Sequence, residues 1–138
     1  MTKNAQKTIA LTSLKSLGGA VPEFNMTVKV SRPDGTYTEV TLKLKALRKS
    51  EWAKLRDEHI TAIREAGKSV EGEFTFSQQV GIGAKEAAEL VHKVATGWDL
   101  DDEFTPGNLM ELEDLLPSAL PTMLTNIDSA LFQGRVGN

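Results

Sequence analysis

Several stretches hold residue types that do chemistry when their spacing is right. Ala66-Gly67-Lys68-Ser69 ends like a phosphate-binding loop, in which backbone N–H groups cradle phosphate while Lys and Ser reach phosphate and magnesium. That loop needs another glycine at position 62, where Ala62 stands, and must lead from a strand into a helix. Here the motif closes a helical pattern, so a helix stop is the expectation. Gly81-Ile82-Gly83 supplies two of the three glycines of a dinucleotide fingerprint, with Glu86 in the third place, and is expected to be a helix break or an N-terminal turn. Asp99, Asp101, Asp102 and Glu103 cluster as hard-cation ligands do. A calcium loop, however, wants Gly sixth and Glu twelfth, and from Asp99 those places hold Phe104 and Met110. His59 lies on an apolar stripe and is expected to be semi-buried and structural, while His92 falls on a helix surface. No Gly-x-Ser-x-Gly elbow accompanies the serines, and there is no cysteine for thiolate chemistry, disulfides or iron–sulfur ligation. No site for covalent or general acid–base catalysis emerges, and no cofactor is expected.

The elements that would carry these residues can be read from periodicity. Ala10, Leu11, Leu14 and Leu17 predict a short helix or turn stopping at Gly18-Gly19. From Phe24 the period becomes two: Phe24, Met26, Val28 and Val30 face one way and Asn25, Thr27 and Lys29 the other. Arg32-Pro33-Asp34-Gly35 is a turn, and Val40, Leu42 and Leu44 return on the same face. An antiparallel hairpin over 24–45 with one wet face is predicted. A lone hairpin is marginal in water, so its apolar face must pack on the helical segments after residue 50. Ser50 as N-cap and the stripe Trp52, Leu55, His59, Ala62, Ile63, Ala66 predict a helix over 51–66, followed by a loop over 67–76 in which Phe74 and Phe76 approach the core. Ala84, Ala87, Ala88, Val91, Val94 and Ala95 predict a second helix capped by Gly97. Trp98, flanked by Leu100 and Phe104, is expected to fold back and anchor the acidic loop. Thr105 as N-cap and Pro106 at the first position open a helix carrying Leu109, Leu112 and Leu116 and halted by Pro117. A last amphipathic helix is predicted from Ser118 to about Phe132, with Pro121 in its first turn.

The fold class is therefore α+β, an N-terminal antiparallel β-hairpin packed on a small, mainly helical bundle over 50–132. With 138 residues a single domain over 1–138 is expected, residues 1–9 and 133–138 being flexible. No apolar run is long enough to span a bilayer and Met1 to Ala10 lacks a secretory signal, so a soluble intracellular protein is expected. Charge divides along the chain. Residues 1–50 hold nine Lys/Arg against three Asp/Glu, and 51–138 hold seven against sixteen. The scattered lysines and few aromatics of the basic half do not make a nucleic-acid footprint.

The segment Ala95-Thr96-Gly97-Trp98-Asp99-Leu100-Asp101-Asp102-Glu103-Phe104-Thr105-Pro106, followed by Asn108-Leu109 and a Leu-rich helix to Pro117, resembles the tail assembly chaperones of long-tailed bacteriophages. The likeness extends to Leu14 to Gly18, to the hairpin, to Ser50-Glu51 and to the Gly134 to Asn138 ending. Pro121 and Thr125 depart from it, standing where the family shows Ala and aromatic residues. The resemblance implies a non-enzymatic protein of the host cytoplasm, absent from the mature virion. It would coat the tape-measure protein and help recruit tail-tube subunits, in relatives through a form extended by a ribosomal frameshift. The alternative is a structural virion protein of the tail or head–tail connector. Neither nucleic acid nor membrane is expected as a partner; a homo-oligomer in equilibrium with monomer is. The client is expected in a groove formed by helix 106–116 and segment 118–132, with Trp98, Asp101, Asp102, Met110, Met123 and Leu124 as partner-binding residues. Met110, Met123 and Leu124 are expected to be at least partly exposed, and Leu112 and Leu116 to serve the core.

Overall fold

The computed structural model describes residues 8–17 and 22–135. Strands β1 (Glu23–Ser31) and β2 (Tyr37–Lys45) form the predicted hairpin, with Glu23 opposite Lys45 and Ser31 opposite Tyr37. Alternation decides its two faces: Met26, Val28, Val30, Val40, Leu42 and Leu44 are buried, and Phe24 packs at the margin. At the turn Gly35 takes a φ of 87°, and the Asp34 carboxylate accepts from the Thr36 amide at 3.0 Å and its hydroxyl at 2.6 Å. Those hydrogen bonds favour the charged form and hold Asp34 below the usual carboxylate range.

Helix α1 spans Lys49–Lys68, beginning earlier than predicted because Arg48, not Ser50, is the N-cap. Its first turn is closed by the Glu51 carboxylate, which accepts from the Arg48 amide at 2.8 Å. Of the predicted stripe only Trp52 is fully buried, since α1 lies at the edge of the bundle, and Ile63 is exposed. The indole Nε1–H of Trp52 donates to Asp128 at 2.8 Å, and Arg56 donates to the other oxygen of that carboxylate at 2.8 Å.

Helix α2 (Phe76–Val94) starts eight residues before the predicted stripe. Thr75 and Gln78 form a reciprocal capping box that nucleates it, so Gly81 and Gly83 lie inside the helix and do not break it. Phe74 and Phe76 are exposed and stand outside the core they were expected to approach. Gly97 is not a helix cap. The chain leaves α2 at Ala95 in extended conformation and enters a third strand, β3 (Ala95–Trp98), antiparallel to β2, with Leu42 opposite Trp98 and Lys43 opposite Gly97. Sheet order is β1-β2-β3.

Helix α3 (Pro106–Leu115) opens as predicted, Thr105 Oγ1 accepting from the Asn108 amide at 3.1 Å with Pro106 in the first turn. Helix α4 (Ala119–Gln133) comes after a tight link in which Ser118 adopts a left-handed φ of 76°. The side chain of Ser118 makes no cap; Glu113 reaches over from α3 and accepts from the amides of Ser118 at 3.0 Å and Leu120 at 2.8 Å. Pro121 sits in the first turn of α4, where no intrahelical donor is lost, so the departure from the family pattern leaves the helix continuous. Gln133 to Arg135, expected to be flexible, close α4: Gly134 is left-handed and its amide returns to the Ala130 carbonyl at 3.0 Å.

The core unites the inner sheet face with Ala87, Ala88, Leu90, Val91 and Val94 of α2, Leu109 of α3, and Ala119, Leu120, Met123, Leu124 and Ile127 of α4. Among the described residues no polar or charged residue is fully buried. Before the sheet, Leu14–Leu17 form one 3₁₀ turn, and the whole of 8–17 is exposed. The predicted stop at Gly18-Gly19, and the ends 1–7 and 136–138, lie outside the described residues.

Candidate partner-binding surface

The acidic loop is fixed at its apolar anchors and at Asp99 and exposed at Asp101, Asp102 and Glu103. Trp98 is half-buried, its Nε1–H donates to the Asp102 carbonyl at 2.7 Å, and its ring meets Phe104 edge-on with centroids 5.3 Å apart. Phe104 also stacks on exposed His92, centroids again 5.3 Å apart. Asn108 ties the far end by donating to the Glu103 carbonyl at 2.7 Å. Asp99 serves the sheet: its amide donates to the Thr41 carbonyl at 3.1 Å and its carboxylate accepts from the Thr41 amide at 2.9 Å. Asp101 and Asp102 are exposed. Among the described residues no three His, Cys, Asp or Glu side chains gather as a metal site.

Around α3 this loop meets a groove that the sequence does not reveal. A hollow of about 180 Å³, lined by Trp98, Asp102, Glu111, Leu112 and Leu115 among others, lies on one side of α3. Glu111 also lines the second, larger one, about 570 Å³, between α2 and α3. Val80, Gly81 and Ala84 form one wall of that groove, Gly107 and Met110 the other, and Glu111, Glu113 and Asp114 its acidic rim. A volume of this size falls in the roughly 300–1,000 Å³ range of ligand clefts. A smaller apolar hollow of about 210 Å³ continues from Val80 and Ala84 toward Leu120 and Pro121.

Of the expected contact residues, then, Trp98 and Asp102 share one hollow, Met110 lines the other groove, and Asp101 lines neither. Met123 and Leu124 require correction: they are 0% and 7% exposed, in the core. Both lie on the stripe of α4 that faces the sheet and α2, so the open groove runs between α2 and α3 instead of between α3 and α4. Leu112 and Leu116 pack at the core margin. Val80 and Gly81 escape a reading based on the apolar stripe, because α2 begins well before Ala84, where that stripe starts; Thr75-x-x-Gln78 is the signal that places its start.

The other chemical candidates resolve locally. Lys68 ends α1 and pairs with Glu65 at 3.5 Å, and the Ser69 hydroxyl donates to the Ala66 carbonyl at 2.9 Å, so Gly67-Lys68-Ser69 is a helix terminus. Both ring nitrogens of His59 are buried without a hydrogen-bond partner. Burial, aided by the Arg56 charge, opposed by Glu86 and aided again by Lys93, holds its pKa below the ordinary imidazole value. Among the described residues no helix is long and apolar enough to cross a membrane.

Neither the curated proteins nor the solved structures compared with this chain include a match to it. One family model, described as phage tail assembly chaperone, matches residues 10–138. That match spans nearly the whole chain and takes in the acidic loop, the hairpin and the helices around the groove, and the protein belongs to the phage tail assembly chaperone family.

Proposed function

We propose that the chain holds the phage tape-measure protein during tail assembly, helps recruit tail-tube subunits, and does so without catalysis, in the host cytoplasm and apart from the finished virion. Membership of a family that is generally non-enzymatic supports the absence of catalysis. The observation that carries the reading is the groove between α2 and α3, apolar along its walls and acidic at its rim. A long helical client with an apolar seam enters such a groove by laying that seam along it. Carboxylates at the rim steer basic client segments, an effect on association rate that salt weakens. Met110 supplies an adaptable apolar contact, and Trp98, Asp101 and Asp102 extend the surface around α3.

Co-expression with the tape-measure protein tests this. Wild type is expected to keep it soluble and co-purify with it. Val80→Asp, at a residue 55% exposed, is expected to abolish co-purification while circular dichroism stays unchanged. Unaltered binding by that variant, with loss on charge reversal at Lys43 and Lys45, would move the client site to the hairpin. Recovery of the chain in purified particles would mark a structural virion protein instead.

A further inference from the structure

Helix α3 lines two hollows with adjoining faces. Gly107, Met110 and Asp114 line the groove toward α2, whereas Asn108, Leu112 and Leu115, at spacings of three and four, line the smaller hollow beside Trp98. Leu115 is 72% exposed there, and Trp98, Leu100 and Leu112, each partly buried, complete an apolar lining. A tryptophan set among apolar side chains is the type of residue on which binding energy concentrates. The hollow is also built before any partner arrives. The Trp98 Nε1–H is already satisfied by the Asp102 carbonyl at 2.7 Å, Phe104 meets the indole edge-on, and Asn108 holds the Glu103 carbonyl at 2.7 Å. A surface fixed in this way loses little conformational freedom on binding.

We propose that the hollow beside Trp98 takes one large apolar side chain from a basic segment of the tail-tube subunit, while the groove keeps the tape-measure protein; the assignment rests on the reading of the groove given above. Size limits the occupant. About 180 Å³ lies below the roughly 300–1,000 Å³ of ligand clefts and suits a single side chain, not the seam of a long helix. Charge selects what flanks that side chain. Asp102 and Glu111 line the hollow, Asp101 and Glu103 stand exposed next to Asp102 in the chain, and no Lys or Arg lines it. Lys or Arg beside the anchor is therefore attracted, and an acidic segment is repelled. Two partners held at once need two surfaces, and Glu111 is the one lining residue that the hollow and the groove share.

Capture of the tail-tube subunit by the full chain, alone and already bound to the tape-measure protein, tests this. Wild type is expected to retain the tube subunit in both states. Leu115→Ser and Asp102→Lys are each expected to weaken that capture about tenfold or more. Circular dichroism is expected to stay unchanged, because Leu115 is exposed and Asp102 holds Trp98 through its backbone carbonyl. Both variants are expected to co-purify with the tape-measure protein as wild type does, and Val80→Asp is expected to lose the tape-measure protein and keep the tube subunit. A Val80→Asp chain that keeps both partners overturns the groove reading, and capture by the chain alone then still decides this one. The proposal is overturned by a wild type that does not retain the tube subunit, or by Leu115→Ser and Asp102→Lys chains that retain it as wild type does. It is equally overturned if Leu115→Ser loses the tape-measure protein together with the tube subunit, since the hollow would then belong to the tape-measure site.

Discussion

Trp98 works through both halves of its side chain. Its ring packs on Phe104 and its Nε1–H closes the acidic loop on the Asp102 carbonyl. Trp98→Ala is therefore expected to cost about 3 kcal/mol, the low end for a large aromatic because the residue is half-buried. Trp98→Phe keeps the ring and loses the hydrogen bond, about 1 kcal/mol; urea midpoints separate the two. His59 makes a pH prediction. Its folded pKa is lowered, so below about pH 6.5 the unfolded chain binds the proton more readily and stability falls as pH drops. Glu58 and Arg56 on α1 and Glu86, Glu89 and Lys93 on α2 surround the ring and set how far the fall extends. His59→Leu is expected to flatten the urea midpoint between about pH 7 and about pH 5 relative to wild type. The anchoring role of Trp98 is legible in the sequence, because a tryptophan followed by Leu100 and Phe104 among carboxylates has apolar partners close by on which to pack. The burial of Met123 is legible too, against the expectation of exposure: sharing a stripe with Leu120, Leu124 and Ile127 makes it core, whatever the adaptability of methionine.

Elements stand out in the sequence where their signals are local. The hairpin alternates residue by residue, and Thr105-Pro106 announces α3. The cap of α4 does not show, because the carboxylate supplying it belongs to Glu113 on another helix. β3 does not show either: Ala-Thr-Gly-Trp has no alternation, and its pairing depends on the free edge of a strand far away in sequence. The groove arises from α2 being longer than its apolar stripe. Gly81 in that helix has a testable role. No atom lies within 4 Å of where its Cβ would stand, and its φ is not positive. Gly81→Ala is thus expected to raise stability by about 0.5–1 kcal/mol through helix propensity while narrowing the groove. A higher urea midpoint together with weaker partner binding is the expected pair of results.

Across the whole molecule, α1 is the least embedded helix, and one carboxylate pins it to α4. Asp128 accepts from both Trp52 and Arg56, and the guanidinium lies 5.8 Å from the indole centroid. Asp128→Ala leaves the buried indole N–H without an acceptor and is expected to destabilise by about 1–3 kcal/mol, whereas Asp128→Asn keeps an acceptor and costs less. Chemical denaturation of the two variants decides the order. β3 has a consequence in time. The β1–β2 hairpin closes through neighbouring residues and forms within about 1–10 μs. Thr41 on the central strand and Asp99 just after β3, which bind each other, are 58 residues apart, so that contact waits for a much longer loop to close. Hairpin substitutions should then slow refolding, while Trp98→Phe should leave the refolding rate near wild type and speed unfolding, as stopped-flow mixing would read. The lifetime of the folded chaperone would rest on its shortest strand.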